Sequence, residues 1–541
     1  MINFRTTISK ANKRLPLKLA AALLAGSSLL ASLLGLFRDR LLNGLYYDTY
    51  PTGIDAYTVA FTIPDFMFFI LVSGALSVTF IPVFNQRLAT GNKKSAWELA
   101  TSLLNLLALA TLVTSVLIII FAEPLVQYVV GPGLDESSRS LAVSMMRVIA
   151  INPFLFAVAT VFASMQQAVG RFAFFALAPV LYNIGIIIGA LFFTNGIYIF
   201  GYQLFEGGIM GVALGVVLGS ILQLLVSSLG LFGMGFDYRF KIFWKNKGFH
   251  QVLRLLPPRA LDQGIDYVNS IVEVNLASRM TAGTVRAYQQ AMSLSFVQIN
   301  LIGVAISTAA FPKMTERLGQ GRPDLFKKEL QAVLRVIVWL ALPVTVVAYF
   351  GRGYLVNFIE NGGDQYMASI LAILSLTILF RSIYFIAARS FYAQQDTKTP
   401  FYISLFTISL NIILAVWFSF GLGMEVYGLA WAAVIVSIVE VAILFIIMAR
   451  RIKGLFDAPF VNAVVRMASA SGFMAIVTYL MVIWFPLSAA DQSFFASFPK
   501  FALIVGVSLI SYIIICRLFR LPEVDPILRR ARDIFFKQPS K

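Results

Sequence analysis

The segment Ser77–Gly91 reads SVTFIPVFNQRLATG, and the segment Ser307–Gly321 reads STAAFPKMTERLGQG. A serine, a proline, an arginine-leucine pair and a glycine fall at the same positions in both segments. A second match has a similar separation and comprises Gln166-Gln167 with Asn183, and Gln394-Gln395 with Asn411. Such repetition along a chain is typical of an internal duplication. We therefore predict two halves that share one arrangement of elements.

The composition is that of a membrane protein. Of the 541 residues, 59% are hydrophobic and 13% are charged. Apolar runs of about 20 residues, long enough to cross a bilayer as helices, recur along the whole chain. Period-two alternation, which would indicate the strands of a transmembrane barrel, is absent. We predict an all-α polytopic membrane protein with about 14 transmembrane helices, and a duplicated protein of this kind is typical of transporters.

The net charge of +17 would suggest a nucleic-acid partner for a soluble protein. In a polytopic protein, however, Lys and Arg collect in cytoplasmic loops and face anionic lipids. We therefore expect anionic membrane lipids, and no nucleic acid, as partners. The single cysteine, Cys516, excludes an internal disulfide, and the single histidine, His250, excludes a multi-histidine metal site.

Loop charge orients the predicted spans. Cations concentrate in loops on one side, for example Lys93-Lys94 and Arg450-Arg451, whereas acids such as Glu360 lie on the other. By the positive-inside rule both termini are cytoplasmic, and both repeated segments leave their spans toward the cytoplasm. The two six-helix halves therefore form parallel repeats. The predicted domains are a basic cytoplasmic segment (1–16), an N-lobe with spans one to six (17–235), a C-lobe with spans seven to twelve (245–455), two further spans (460–520) and a basic cytoplasmic tail (521–541).

Ionisable residues inside the spans are the candidates for function, because charge is costly there and usually faces a cavity or a partner. No Walker loop, zinc-binding spacing or Ser/His/Asp set is present, so we expect neither an enzyme nor an ATP-driven pump. Spans one, two, seven and eight hold the residues that could line one cleft: Arg38, Asp39, Asp55, Asp65, Arg259, Asp262, Asp266, Glu273, Arg286, Gln289 and Gln290. Asp262, Asp266 and Glu273 share one helix face. The same residues could instead form structural Arg–Asp pairs between helices. Other charged residues near membrane depth are predicted to be structural: Arg147, Arg335, Arg381, Arg389, Glu440 and Arg466.

The loop Phe391–Pro400 reads FYAQQDTKTP and resembles the FYSRQDxKTP loop of the MurJ (MviN) lipid II flippases. Its predicted cytoplasmic motif consists of Gln394, Gln395, Asp396, Lys398 and Pro400. Other motifs of that family are matched in the same order along nearly the whole chain: Gly35–Asp39 resembles GxxRD, Asp55–Pro64 resembles DAFxxAFxxPN, Phe80–Pro82 resembles AFVP, and Arg171–Asn183 resembles NRFxxPAxAPxxxN.

The resemblance implies the fold of the multidrug/oligosaccharidyl-lipid/polysaccharide (MOP) exporter superfamily, in which two six-helix lobes form a V around a central cavity. It implies that spans thirteen and fourteen form a groove for a polyprenyl tail. It also implies translocation of lipid II, the polyprenyl-pyrophosphate-linked peptidoglycan precursor, from the inner to the outer leaflet of the bacterial cytoplasmic membrane. The cavity of this family is cationic, which suits a pyrophosphate.

Within this resemblance, Arg38 is expected to bind the pyrophosphate together with Arg286, Gln289 and Gln290. The acids that would orient these cations or close the outer gate are Asp39, Asp55, Asp65, Asp262, Asp266 and Glu273. The sequence departs from the family where charged cavity residues match uncharged ones: Ser32, Phe68, Phe69, Ser73, Met292 and Ser293. Arg286 lies two helical turns before Ser293 and offers a displaced cation.

Three functions fit these residues. The first is lipid II flipping by alternating access, with no cofactor and with a coupling ion or the membrane potential as the drive. The second is export of another polyprenyl-linked glycan or of a cationic drug, which the acids of span seven favour. The third is a non-transporting scaffold that recruits cell-wall synthesis proteins, which the missing cavity arginines favour.

Overall fold

The computed structural model describes residues 17–73, 76–199, 202–488, 490–526 and 528–529, and helices make up most of this part of the chain. Several helices begin at the residues that favour helix starts, such as Pro51 and the capping Asn92, whose side chain accepts the N–H of Ser95. In chain order the helices are α1 (Leu17–Tyr46), α2 (Pro51–Phe68), α3 (Ile81–Ala89), α4 (Lys93–Pro124), α5 (Glu136–Ile149), α6 (Asn152–Ala168), α7 (Ala173–Phe192), α8 (Met210–Leu229), α9 (Lys247–Ala277), α10 (Thr284–Ile299), α11 (Ala305–Gly319), α12 (Pro323–Phe350), α13 (Arg352–Asn357), α14 (Gln365–Ser375), α15 (Thr377–Ala393), α16 (Lys398–Val416), α17 (Val426–Arg451), α18 (Ala458–Trp484) and α19 (Phe494–Leu518).

Short irregular elements interrupt or join these helices. π-helical segments occur at Phe69–Ser73, Leu76–Phe80, Leu125–Val130, Asn300–Val304 and Trp417–Gly421. An antiparallel hairpin of β1 (Ile197–Ile199) and β2 (Tyr202–Phe205) lies between α7 and α8. The sequence does not predict this hairpin, because its strands are too short to show a period-two pattern.

Within the described residues, twelve helical segments are long and apolar enough to cross a membrane. They correspond to predicted spans two to six and eight to fourteen. Predicted spans one and seven are also single helices, α1 with 30 residues and α9 with 31. The all-α polytopic class is therefore confirmed, and the structure is compatible with the predicted number of spans.

The chain forms two compact units that divide between Arg286 and Ala287. The first unit contains α1 to α9, and the second contains most of α10 and all of α11 to α19. This division differs from the predicted lobes, which placed α9 in the C-lobe. The cause is packing: α9 lies against α2 and against the π-helical segment Phe69–Ser73.

The repeated segments form the same helix end in both units. In the first copy the N–H of Gly91 donates to the carbonyl oxygen of Leu88 (3.1 Å), and the N–H of Asn92 donates to that of Arg87 (3.0 Å). Gly91 has a φ of +77°, so this is a Schellman end, which favours glycine. The same bonds, both 3.0 Å long, recur in the second copy, from Gly321 to Leu318 and from Arg322 to Arg317.

The second sequence match is wrong in register. α6 is followed by Gly170, which has a φ of +78°, and α15 is followed by Gln395, which has a φ of +60°. Aligning these two left-handed residues pairs Gly170 with Gln395. Gln166-Gln167, in the last turn of α6, therefore does not correspond to Gln394-Gln395.

Glycines bring the backbones of α7 and α8 into contact. A Cβ on Gly185 would lie 2.2 Å from the Cα of Gly219, and one on Gly189 would lie 2.4 Å from the Cα of Gly215. Small residues permit this approach, and van der Waals packing then stabilises the helix pair within the bilayer. The contact fixes α7 within the first unit, and α7 carries one wall of the candidate site.

Candidate functional site

Arg38 and Asp39 lie next to each other in the second half of α1. The Nε and Nη2 of Arg38 donate to Asp39 Oδ1 at 3.2 and 3.0 Å. The Nη1 of Arg38 donates to Asn183 Oδ1 on α7 at 3.0 Å. The side chain of Arg38 is 24% exposed, so its guanidinium is held on two sides and remains partly accessible.

Asn183 fixes the position of Arg38. Its Nδ2 donates to the carbonyl oxygen of Ala31 on α1 (3.3 Å) and to that of Pro179 on α7 (3.1 Å). Both donors of the amide are thereby directed toward backbone, which leaves its oxygen to accept from the guanidinium. Asn183 therefore links α1 to α7 and holds the cation between them.

Arg286 supplies a second cation to the same carboxylate. Its Nη2 lies 3.4 Å from Asp39 Oδ1, and its Nε donates to Asn43 Oδ1 at 2.9 Å. The side chain of Arg286 is 7% exposed, whereas that of Asp39 is 17% exposed. Asp39 Oδ1 is thus close to two guanidinium groups, that of Arg38 in α1 and that of Arg286, the last residue of the first unit.

Asp55 holds the segment that carries Arg286. Its Oδ2 accepts the backbone N–H of Gly283 at 2.7 Å, and its Oδ1 accepts that of Arg286 at 2.8 Å. These N–H groups belong to the start of α10, where a carboxylate also interacts favourably with the helix dipole. Asp55 therefore positions Arg286 through its backbone, and Asp39 contacts its guanidinium.

The structure brings Arg38, Asp39, Asp55 and Arg286 into one network of hydrogen bonds and ion pairs. Asp65 is half-buried further along α2. Glu273 is buried in α9 and accepts the Nδ2 of Asn269 at 2.9 Å. Gln289 and Gln290 follow Arg286 along α10, in the second unit. The side chains of Arg259, Asp262 and Asp266 lie outside the described residues.

The cytoplasmic motif forms the start of α16. Asp396 Oδ1 accepts the N–H groups of Lys398 (3.1 Å) and Thr399 (3.0 Å), and its Oδ2 accepts from Thr399 Oγ1 and from Arg451 Nη2, both at 2.6 Å. Burial opposes ionisation of Asp396, but the hydrogen bonds from Thr399 and Arg451 outweigh it and lower its pKa to about 2. The motif is thus an N-terminal helix cap that is tied to α17. Its other members surround the cap: Gln394 donates to Met448 Sδ at 3.1 Å, Gln395 takes the left-handed conformation, and Pro400 is buried.

A family model described as the lipid II flippase MurJ matches residues 51–499. The chain belongs to the MurJ lipid II flippase family. A probable lipid II flippase MurJ of Thermotoga maritima is 26% identical over 92% of this chain and 95% of its own length. That of Bdellovibrio bacteriovorus is 26% identical over 79% of this chain and 80% of its own length.

Solved structures show the same fold. The lipid II flippase MurJ in an inward closed conformation has a TM-score of 0.72 at 23% identity and covers 92% of this chain and 98% of its own. An inward-facing MATE-family multidrug resistance transporter of the MOP superfamily has a TM-score of 0.67 at 17% identity and covers 79% of this chain and 96% of its own. The chain therefore has the fold that the MurJ family shares with the MATE transporters.

Two members of the network were missed from the sequence. Asn43 lies four residues after Asp39 on α1, so helix periodicity places both on one face and could have found it. Asn183 lies in a segment that resembles a family motif, but no local pattern in the sequence connects it with Arg38. Only the packing of α7 against α1 brings the two side chains together.

An aromatic cluster occupies the place at which the MurJ family pattern has an arginine pair. The ring of Phe69 stacks on that of Tyr267 with centroids 4.4 Å apart, and the ring of Phe68 lies 5.4 Å from that of Phe156. These contacts replace charge with apolar surface on this part of α2. The cations of the described network come instead from α1 and from the start of α10.

Proposed function

We propose that this chain flips lipid II across the bacterial cytoplasmic membrane by alternating access. Family membership and the curated relatives, which are named as probable lipid II flippases, support this function. The observation that carries the proposal is the pair of guanidinium groups, from Arg38 and Arg286, that meet at one oxygen of Asp39. Such a pair can bind a pyrophosphate, because guanidinium groups match phosphate oxygens in geometry and charge.

In this proposal, the Asp39 carboxylate occupies the anion position between the two guanidinium groups until the substrate binds. A phosphate oxygen that enters between the guanidinium groups replaces the carboxylate as their acceptor. Asn183 and Asn43 keep Arg38 and Arg286 in position during the exchange, because each amide oxygen accepts from one guanidinium at about the distance of a normal hydrogen bond. Arg38 is the more exposed cation, so it meets the headgroup first.

Asp55 and Asp39 couple this exchange to the position of α10. Asp55 contacts the backbone of Arg286, whereas Asp39 contacts its side chain. A shift of α10 therefore changes the binding site and its helix cap together, which suits a protein that alternates between two accessible states. In the absence of an ATP motif, the drive is an ion gradient or the membrane potential, worth about 2.3 kcal/mol per charge per 100 mV.

The last two spans guide the lipid tail in this scheme. α18 and α19 pack against each other, and α18 packs against α12 in the second unit. They expose large apolar side chains such as Trp484 (70%) and Phe495 (86%). Both termini lie in the cytoplasm, as the loop charge indicates.

The test is rescue of a flippase-depleted bacterium, combined with an assay of lipid II accessibility at the outer leaflet. We expect Arg38→Ala to abolish rescue and export although the protein accumulates normally. The matched control is Arg147→Ala, because Arg147 contacts only the carbonyl oxygen of Ile119 among its hydrogen bonds in the described structure and lies outside the network. Normal export by Arg38→Ala, or efflux of a cationic drug without lipid II export by the wild-type chain, would contradict the proposal.

A further inference from the structure

A second cationic site lies in the first unit, apart from the network of Arg38. It is a pocket of about 600 Å³ at the junction of α3, α4 and the start of α9. Four cationic side chains line the pocket: Arg87, Lys241, Lys245 and Lys247. Its lining includes one carboxylate, that of Glu98. The ion pairs of the described residues include none from these three lysines. The pocket therefore has a net positive charge.

The loop that carries Lys241 and Lys245 is fixed along α4, and Lys247 is the first residue of α9. Asn105 Nδ2 donates to the carbonyl oxygens of Arg239 (2.9 Å) and Lys241 (3.0 Å). Ser102 Oγ accepts the N–H of Phe243 at 2.8 Å. These bonds fix the backbone of the loop and therefore the positions from which Lys241 and Lys245 extend.

Arg87 lines the pocket and packs against the start of α9. Its Nη1 donates to Ser95 Oγ at 2.7 Å, whereas its buried Nε has no hydrogen-bond partner. The guanidinium also lies close to the first turn of α9, since a Cβ on Gly248 would be 2.4 Å from Nε. A helix N-terminus is itself partially positive. An anion in the pocket would reduce the repulsion among the cations.

Exposed aromatic residues identify the kind of anion. Phe240 is 92% exposed and Trp244 is 57% exposed, and both alternate with the lysines along the loop. Aromatic and basic residues at the ends of membrane helices are typical of the headgroup region. We propose that this pocket binds the phosphate of an anionic phospholipid in the adjacent leaflet, while Phe240 and Trp244 enter the lipid. The site is separate from the proposed lipid II site and does not depend on that assignment.

The test titrates the full-length purified protein with phosphatidylglycerol and phosphatidylcholine, and counts bound lipids by native mass spectrometry. The variant is Lys241→Gln/Lys245→Gln/Lys247→Gln. Each lysine contributes severalfold to anionic-lipid binding, so we expect at least about tenfold weaker binding of phosphatidylglycerol. Binding of phosphatidylcholine should not change. The matched control removes three lysines of the second unit, two at the start of α12 and one after α17, as Lys327→Gln/Lys328→Gln/Lys453→Gln. Its binding should stay within about twofold of wild type.

Three results would overturn the site. The first is unchanged affinity of the triple variant for phosphatidylglycerol, and the second is an equal loss in the control. The third is displacement of phosphatidylglycerol by millimolar inorganic phosphate or by an equimolar polyprenyl pyrophosphate, which would assign the pocket to a free anion or to the transported lipid. Trp244→Ser provides a variant that leaves every cation in place, and we expect it to weaken phosphatidylglycerol binding about threefold without changing the response to inorganic phosphate.

Discussion

The two units each hold a carboxylate beside an arginine, but the two clusters are completed differently. In the first unit, Asp39 Oδ1 receives guanidinium groups from Arg38 and Arg286. In the second, Glu440 receives one guanidinium, from Arg381 at 3.2 Å, and two hydroxyl groups complete its coordination: Ser404 at 3.1 Å and Thr407 at 3.2 Å.

Under the proposed function, this difference separates a binding site from a structural pair. A carboxylate that bridges two cations can be replaced by another anion, after which both cations are still paired. A carboxylate with one cation and two neutral donors from its own chain has no such exchange open to it. The structural role of Arg381 and Glu440 and the binding role of Arg38 and Arg286 stay predictions, which the variants below test.

The largest expected effect, on lipid II translocation, comes from removing one arginine of the first cluster, and the comparison removes the arginine of the second. Arg286→Met should reduce lipid II translocation at least tenfold, which corresponds to about 1.4 kcal/mol. Arg381→Met should leave translocation within about twofold but lower the free energy of unfolding by about 1–3 kcal/mol, because Glu440 loses its cation in a buried position. Leaflet-accessibility assays and thermal unfolding of the purified variants measure the two effects. Equal transport defects in both variants would remove the distinction between the clusters.

The next effect concerns the amide that positions Arg38. Asn183→Ala should reduce translocation about tenfold, because Arg38 loses its acceptor on α7 while every charge is retained. The control is Asn411→Ala, which removes a buried asparagine of α16 in the second unit, and it should affect stability alone. The apparent affinity for lipid II and the maximal rate should be measured separately. A normal rate in Asn183→Ala at normal protein abundance would show that the amide is dispensable.

Asp39→Asn tests the exchange itself. The amide still accepts a hydrogen bond but no longer competes as an anion, so pyrophosphate should bind about threefold to tenfold more tightly, or about 1 kcal/mol. Release should slow, and net translocation should fall. Equilibrium binding of a short-chain polyprenyl pyrophosphate to protein in nanodiscs measures the affinity. The matched variant, Glu440→Gln, should leave that affinity unchanged, and weaker binding by Asp39→Asn would contradict a competing role for the carboxylate.

The smallest effect concerns the loops that precede α7 and α16. The pKa of Asp396 is lowered to about 2 in the folded protein, below the value of about 4 of a free aspartate. Its contribution is therefore complete above about pH 4 and is lost as the pH falls toward 2, by about 1 kcal/mol or less. In the first unit, Arg171 instead donates to the carbonyl oxygens of Phe232 and Gly233, which do not titrate. Between pH 5 and pH 3, amide hydrogen exchange should lose protection in the loop that contains Asp396 and not in the loop that contains Arg171. Asp396→Asn should abolish this difference between the two loops.

Local features were predictable from the sequence, and long-range contacts were not. Hydropathy located the spans, and the repeated Arg-Leu-x-x-Gly pattern located two identical helix ends, because helix stops depend on a few neighbouring residues. The second match failed because its glutamines sit at different distances from the ends of α6 and α15. The division between the units also differs from the prediction, because the packing of α9 decides it. Asn183 could not be assigned, since its partner Arg38 is distant in sequence and is reached only through the fold.

The most direct test of the central claim is a double-mutant cycle between Arg38→Gln and Arg286→Gln, read out as the affinity of the full-length protein for a polyprenyl pyrophosphate. If the two guanidinium groups bind one headgroup, the second substitution should cost much less after the first, with a coupling free energy of about 1 kcal/mol or more. Additive losses from the two substitutions, or no loss in either single variant, would contradict a shared anion site at Asp39.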